Sequence, residues 1–322
     1  MTFKVLSTSP TFGYYASEPV EYLEHHGCKL DLVPQGKRMS EEELIEVAKG
    51  YQAMIVGVEK ISESVIQASK NLKVIAKHGA GLDNIDVKTA SANGITIISA
   101  PGANSDAVAD LTIGLFLSLA RSIPFADRSV KEGGWPRIVG FQVNGKVLGI
   151  IGLGQIGKKV AKRASGFDMK VLAYDIIKDE DFAQKWGITY LPMEELLTRS
   201  DFISIHIPLT LFTHRLIGEK ELRLMKKDSF LVNISRGNIV DEEALYRALK
   251  ERRIKGAALD VFSSEPPKES PLLKLSNVIF TPHMGGYTFE ALKETGMICV
   301  RGIVDVLDGR QPQFAFNPEI LK

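Results

Sequence analysis

Val147-Leu148-Gly149-Ile150-Ile151-Gly152-Leu153-Gly154-Gln155-Ile156-Gly157 runs from a strand-like apolar segment through three spaced glycines into the helix pattern Lys158–Ala164. A dinucleotide-binding turn needs this arrangement: a tight turn at the first glycine, close backbone approach to pyrophosphate at the second, close helix–strand packing at the third. The N-terminus of that helix pattern then faces the phosphates. The next strand pattern, Lys170–Tyr174, ends at Asp175, where the fingerprint places an acid on the adenosine ribose hydroxyls. A carboxylate there opposes a 2′-phosphate, so NAD is expected over NADP; Lys178, close by, works against that preference. An ordinary strand–turn–helix explains the glycines alone. Strand, glycines, helix and acid in one register favour the nucleotide.

Working outward, strand-like runs alternate with helix patterns along nearly the whole chain. Before the glycines come strands at Phe3–Ser7, Lys29–Val33, Ala53–Val58, Leu72–Ala76 and Ile95–Ser99, with helices at Glu18–His26, Glu41–Lys49 and Ser62–Ser69. Ala100-Pro101-Gly102 breaks the rhythm, and Asp106–Arg121 follows as a mostly apolar helix that buries most of its circumference. A second series starts at Lys146, with strands at Val147–Ile151, Lys170–Tyr174, Phe202–His206, Phe230–Ile234, Ala257–Val261 and Val278–Thr281. Asp241 is placed to cap a helix over Asp241–Glu251. A last helix spans Phe289–Leu307. Strands separated by helices imply parallel βαβ units with right-handed crossovers, hence an α/β protein with two doubly wound sheets.

Composition narrows the classes further. The 322 residues are too many for one ordinary core. Forty basic against thirty-nine acidic residues, a net charge of +1, give no basic excess for nucleic acid. Cys28 and Cys299 stand far apart without metal-ligand spacing, so two reduced buried thiols and no metal are expected. Leu111–Ala120, the longest apolar stretch, has about half the length needed to span a bilayer. The N-terminus runs straight into a strand pattern without a signal-peptide layout, so no membrane association and a cytoplasmic location are expected.

Three later segments each put a reactive side chain just after a strand. They are Asn233-Ile234-Ser235-Arg236-Gly237, Asp260-Val261-Phe262-Ser263-Ser264-Glu265-Pro266 and Thr281-Pro282-His283-Met284-Gly285-Gly286. Carboxyl ends of strands in an open parallel sheet line the ligand crevice, so the three can converge. Reduction of a 2-oxo acid needs a cation for the carboxylate and a proton donor for the nascent alkoxide. Arg236 offers a planar fork for a carboxylate. His283 is the natural acid–base, histidine being the side chain that changes charge near neutrality. Glu265 can hold one imidazole nitrogen, stabilise the protonated ring and aim the other nitrogen at substrate. Taken singly, each has a duller reading: a surface ion pair, an exposed loop acid, a satisfied turn histidine. Jointly, in one domain with a nucleotide signature, they favour catalysis.

These motifs, with His206-Ile207-Pro208-Leu209-Thr210 and Thr213, resemble the D-isomer-specific 2-hydroxyacid dehydrogenase family, and its phosphoglycerate dehydrogenase-like branch most closely. Lys77-His78-Gly79-Ala80-Gly81-Leu82-Asp83-Asn84-Ile85-Asp86 is similar to the family's N-terminal substrate loop. The resemblance implies that Arg236, Glu265 and His283 form the catalytic triad. It implies cofactor contacts at Gly152, Gly154, Gln155, Ile156, Gly157, Asp175, His206, Pro208, Thr213, Ile234, Ser235, Asp260 and Gly286, with Asp260 meeting the nicotinamide amide. Ala80 and Gly81 backbone amides and Asn104 are implied to bind substrate with Arg236. It further implies a Rossmann-type NAD domain, residues 102–286, inserted into a flavodoxin-like substrate domain of residues 1–101 and 287–322, and a homodimer. Asp110 departs from the Glu that many relatives carry, a change expected to be tolerated. The chain stops at Lys322, so the C-terminal regulatory domain of some phosphoglycerate dehydrogenases is not expected.

The implied activity is hydride transfer between NAD(H) and a small 2-oxo or D-2-hydroxy acid such as D-3-phosphoglycerate, hydroxypyruvate or glyoxylate. An NAD(H)-sensing, corepressor-like binding protein is the alternative; the absence of a long partner-recruiting tail argues against it. A second alternative is a relative acting on another small anion such as formate or phosphite; hydride removal from formate needs no proton donor, so the His283–Glu265 pairing counts modestly against it. Specificity falls to the Ser7–Tyr15 and Lys77–Asp83 loops with Asn104. Lys37, Arg38 and Lys77 could serve a phosphorylated substrate, although isolated lysines are mostly solvated surface.

Overall fold

A computed structural model describes residues 2–34, 37 and 39–321; Arg38 lies outside them. The chain divides into two units, Met1–Asn104 with Gly286–Lys322, and Ser105–Gly285. The divisions fall where the long apolar helix begins, at Ser105, and after Gly285. Residues 102–104 and Gly286, which the sequence placed with the nucleotide domain, therefore belong to the first unit.

The first unit opens with β1 (Phe3–Ser7), α1 (Glu18–His25), β2 (Cys28–Leu32), α2 (Glu41–Ala48) and β3 (Ala53–Val56). It continues with α3 (Glu63–Ala68), β4 (Val74–Lys77), α4 (Val87–Ala92) and β5 (Thr96–Ile98). The five strands pair in parallel in the order β2-β1-β3-β4-β5, with Val5 opposite both Leu30 and Ala53. This is the flavodoxin-like order, with its topological switch between β1 and β3. Local signals set the helix starts. Ser40 caps α2 reciprocally: its Oγ accepts from Glu43 N at 3.2 Å while Glu43 Oε2 accepts from Ser40 N at 2.9 Å.

The second unit contains α5 (Ser105–Arg121), α6 (Ile123–Lys131), β6 (Val147–Ile151), α7 (Gln155–Ser165), β7 (Lys170–Tyr174), α8 (Glu180–Trp186) and β8 (Thr189–Tyr190). Then come α9 (Met193–Arg199), β9 (Phe202–Ile205), α10 (Glu219–Leu224), β10 (Phe230–Asn233), α11 (Glu242–Lys250), β11 (Gly256–Leu259) and β12 (Val278–Phe280). Seven parallel strands run β12-β11-β10-β9-β6-β7-β8, so the order reverses between β6 and β9. Three elements escaped the sequence reading: the six-residue α4, and β8 and α6. β8, two residues long, is too short to show a period. α6 begins with Ile123-Pro124, and proline reads as a breaker although the first helical turn tolerates it.

Alternating side chains on each strand fill two faces of this sheet. Leu148, Ile150, Phe202 and Val232 meet α5 and α7, while Ile151, Ile203, Ile205 and Leu231 meet α9, α10 and α11. Phe202 stacks on Phe230 with centroids 5.2 Å apart and takes Phe116 of α5 edge-on at 5.3 Å. Truncating a ring so enclosed costs about 3–5 kcal/mol. On α5 only Asp106, Asp110, Gly114 and Arg121 are exposed. Arg163 of α7 donates to Asp106 at 3.0 Å and to Asp110 at 2.6 Å, so the shorter Asp110 still finds its cation.

After Gly285 the chain returns to the first unit as α12 (Phe289–Leu307), capped by Thr288. Ile298, Val300 and Ile303 close one face of that sheet with α1, against Val5, Ile55 and Val74. Leu6, Met54 and Ile75 point to the other face, against α2, α3 and α4. Among the described residues no single helix is long and apolar enough to cross a membrane.

Candidate active site

The three glycines after β6 are glycine for three different reasons. Gly152 sits at φ +96°, and a Cβ there would lie 2.7 Å from the His206 carbonyl oxygen. At Gly157 a Cβ would collide with the Gly152 carbonyl oxygen. Gly154, the N-cap of α7, has an ordinary extended conformation, and a Cβ there would meet nothing within 4 Å. The fold itself has no need of glycine at 154, so this open place suits the backbone approach of a phosphate. Asp175 is held beside the turn, its Oδ2 accepting from Leu153 N at 2.7 Å and its Oδ1 from Ile177 N at 3.0 Å. Lys178 rests 5.5 Å from the Tyr190 ring centroid.

Substitutions at the glycines separate these reasons. Gly157→Ala is expected to lower stability by about 1–3 kcal/mol through overpacking. Gly154→Ala is expected to leave the melting temperature nearly unchanged while weakening NADH binding. Thermal denaturation and NADH titration check both. Unchanged NADH affinity in Gly154→Ala contradicts the cradle.

At the switch point His206 N donates to Ile151 O at 2.7 Å, placing the end of β9 against β6. Its Nε2 lies 3.0 Å from Ser204 Oγ, whereas Nδ1 is buried without a hydrogen-bond partner among the described residues. Burial pushes this imidazole down to about 3, so the ring is neutral. The following loop braces itself: the Thr213 hydroxyl donates to Pro208 O at 2.7 Å and accepts from Thr210 N at 2.7 Å. After β10, Ile234 is buried and the Ser235 hydroxyl donates to Ile207 O. Four apolar residues that the sequence did not single out are Ile176, Ile177, Leu211 and Phe212. They stand 78–95% exposed on the loops after β7 and β9, and their only sequence signal was apolar residues in turn segments.

Arg236, Glu265 and His283 are brought together within the second unit. Gly237 permits this: any Cβ there would collide with the Phe262 backbone, so the Arg236 strand end presses against the loop that carries Glu265. Arg236 Nη1 donates to Ser235 O at 2.8 Å. Glu265 Oε1 accepts from Phe262 N at 3.1 Å, and its Oε2 lies 2.8 Å from His283 Nδ1. Burial alone raises the Glu265 carboxyl. The hydrogen bond and charge of His283, the Phe262 amide and the charge of Arg236 together outweigh it, leaving the group below its ordinary value.

His283 adopts φ +53°, a left-handed conformation that few side chains tolerate. Asp260, 1% exposed, secures it from both sides. Its Oδ1 accepts from the Thr281 hydroxyl at 2.5 Å and from Met284 N at 2.9 Å, and its Oδ2 accepts from Gly285 N at 2.9 Å. This bracing of the histidine loop is a part for Asp260 that the sequence did not reveal.

The other substrate-side candidates belong to the first unit. Ala80 is exposed and Gly81 half-buried in the loop after β4, and the Asn104 amide nitrogen lies 3.0 Å from where a Cβ of Gly286 would stand. Lys77 is no solvated surface lysine: its ammonium donates to Gly57 O and to Asn84 Oδ1, the latter at 2.7 Å. Lys37 pairs with Glu43 at 3.0 Å. No group of three or more potential metal ligands occurs among the described residues.

A parallel sheet with a glycine turn at its switch point, and an Arg–Glu–His cluster on its strand ends, define the class of a dinucleotide-binding fold that carries an acid–base pair. Residues 113–285 match the family model "D-isomer specific 2-hydroxyacid dehydrogenase, NAD binding domain". The chain is 43% identical over 318 residues to a D-3-phosphoglycerate dehydrogenase of Methanocaldococcus jannaschii, covering 98% of this chain and 59% of that protein. It is 41% identical over 308 residues to a glyoxylate reductase of Korarchaeum cryptofilum, covering 93% and 92% of the two. A solved D-lactate dehydrogenase from Aquifex aeolicus, complexed with NAD and lactic acid, superposes with TM-score 0.81 at 30% identity over 95% of this chain and 96% of that one. The chain belongs to the D-isomer specific 2-hydroxyacid dehydrogenase family.

Proposed function

We propose that the chain reduces a small 2-oxo acid to the D-2-hydroxy acid with NADH and catalyses the reverse reaction with NAD. The observation that carries this reading is the His283 Nδ1–Glu265 Oε2 bond of 2.8 Å on a strand-end cluster that also holds Arg236. A carboxylate only accepts, so Nδ1 carries a proton and Nε2 is left for the substrate. Bound NADH supplies the hydride. The protonated ring donates from Nε2 to the carbonyl oxygen; in the oxidative direction the neutral ring takes the hydroxyl proton at the same atom. Arg236 holds the substrate carboxylate with its planar fork. The opened cradle at Gly154 and the Asp175 carboxylate hold the cofactor, and the exposed apolar residues on the loops after β7 and β9 offer a surface for its base.

We further propose an unphosphorylated substrate, glyoxylate or hydroxypyruvate, because Lys77 is bonded to Gly57 and Asn84 and Lys37 to Glu43. A single assay tests the reading: 3-phosphohydroxypyruvate, hydroxypyruvate, glyoxylate and pyruvate, each with NADH and with NADPH. NADH is expected to exceed NADPH at least about tenfold in kcat/KM, because the Asp175 charge opposes a 2′-phosphate. Tight NADH binding without turnover of any 2-oxo acid favours a sensing protein instead, and a preference for 3-phosphohydroxypyruvate overturns the substrate proposal.

A homodimer in a reducing cytoplasm completes the reading. Both cysteines are buried free thiols. On α6 and the segment after it, Ile123, Phe125, Val130, Trp135 and Val139 are 49–93% exposed, a run of apolar surface suited to a second copy. Sedimentation is expected to show a dimer, and Trp135→Glu to shift it towards monomer. A monomeric wild type contradicts the pairing.

A further inference from the structure

Three segments of the first unit meet at one imidazole. His78, directly after β4, places Nδ1 2.9 Å from Ser9 Oγ and 3.2 Å from Thr11 Oγ1, both in the loop after β1. Its Nε2 lies 3.2 Å from the Leu292 carbonyl oxygen in α12. Phe12 packs edge-on to the ring at 5.5 Å. A carbonyl oxygen only accepts, so Nε2 carries the proton; in the neutral ring Nδ1 must then accept with its single lone pair, which the Ser9 hydroxyl approaches most closely, and the Thr11 hydroxyl lies 3.3 Å from Ser9 Oγ. Burial, opposed by the Leu292 bond and reinforced by Lys77, pushes the ring down to about 4, so this tautomer persists through neutral pH.

The loops after β1 and β4 that meet at His78 also bond to the loop after β3. The Thr8 hydroxyl donates to buried Glu59 at 3.1 Å, and Asn84 Nδ2 donates to the Gly57 and Glu59 carbonyls. Those bonds tie the ends of β1, β3 and β4 together. His78, with the Cys299 thiol that donates to Lys77 O at 3.2 Å, adds α12, and Ala80 and Gly81 follow His78 within three residues.

We propose that His78 is a positioning residue for the substrate: its paired bonds fix the Ser9–Tyr15 loop and the Ala80–Gly81 amides relative to α12 and so set affinity for the 2-oxo acid. The inference rests on the 2-oxo acid reading above. The closing experiment therefore measures binding of oxamate, an unreactive 2-oxo acid isostere, to the NADH-bound protein alongside turnover.

His78→Phe keeps a ring against Phe12 but removes both bonds. It is expected to raise oxamate Kd and substrate KM about tenfold or more, with kcat within about threefold and NADH affinity unchanged. His78→Asn keeps an acceptor near Ser9 and Thr11 and is expected to recover most of the loss. Ser9→Ala with Thr11→Val removes the same bonds from the other side without altering the imidazole, and is expected to reproduce the weaker oxamate binding should His78→Phe fail to fold. Unchanged oxamate Kd in either the ring or the hydroxyl variant overturns the proposal. So does an equal loss of kcat, NADH affinity and melting temperature that His78→Asn does not recover. Wild-type protein that binds oxamate but turns over no 2-oxo acid contradicts the functional reading while leaving the His78 comparison intact.

Discussion

Replacing His283 with alanine is expected to lower kcat/KM for 2-oxo acid reduction by about a hundredfold or more, while NADH affinity stays within about twofold. The variant removes the only group that the Glu265 bond aims outward with a transferable proton. Its backbone at φ +53° is held by Asp260 through Thr281, Met284 and Gly285, so the loop keeps its course without the ring. Glu265→Gln is the finer probe, since it keeps size and an acceptor but removes the charge that stabilises the imidazolium. The Glu265 carboxyl is lowered in the folded protein, so it is ionised above its unfolded value and protonates only as pH falls through the folded one. A limb of the rate profile near neutral pH therefore does not belong to the carboxylate.

Arg236→Lys is expected to raise substrate KM roughly tenfold to a hundredfold, the loss of about 1.5–3 kcal/mol from a charged hydrogen bond, despite keeping the charge. An ammonium cannot present two parallel donors to a carboxylate, and the strand end fixed by Gly237 against Phe262 leaves the shorter head little freedom to compensate. NADH affinity is expected to remain near wild type. Normal substrate KM in this variant removes Arg236 as the carboxylate anchor.

Much of the architecture was legible because its signals are local. β1, β6, β7 and α12 fall at the residues that the apolar pattern marks, and Asp241 caps α11 by accepting from Glu243 N and Ala244 N. β8 was illegible because two residues carry no period, and α6 because Pro124 reads as an end where the first turn allows it. The Arg–Glu–His convergence could be anticipated from strand ends. What makes it possible could not: Gly237 against Phe262, and Asp260 bracing the histidine loop, join residues far apart in sequence through contacts that exist only in the folded chain. Lys77 shows the same limit. Its sequence surroundings suggest a solvated cation, yet its partners are Gly57, twenty residues earlier, and Asn84.

The most direct test of the account is kcat/KM for 2-oxo acid reduction by NADH as a function of pH, in the wild type, Glu265→Gln and His283→Ala. Reduction consumes the proton of the imidazolium, so wild-type activity is expected to fall on the alkaline side, whereas oxidation rises there. In Glu265→Gln the alkaline limb is expected at lower pH, with a partial loss of rate, and His283→Ala is expected to show no such limb. An unmoved limb in Glu265→Gln, or near-normal turnover in His283→Ala, would contradict the assignment of proton transfer to this pair.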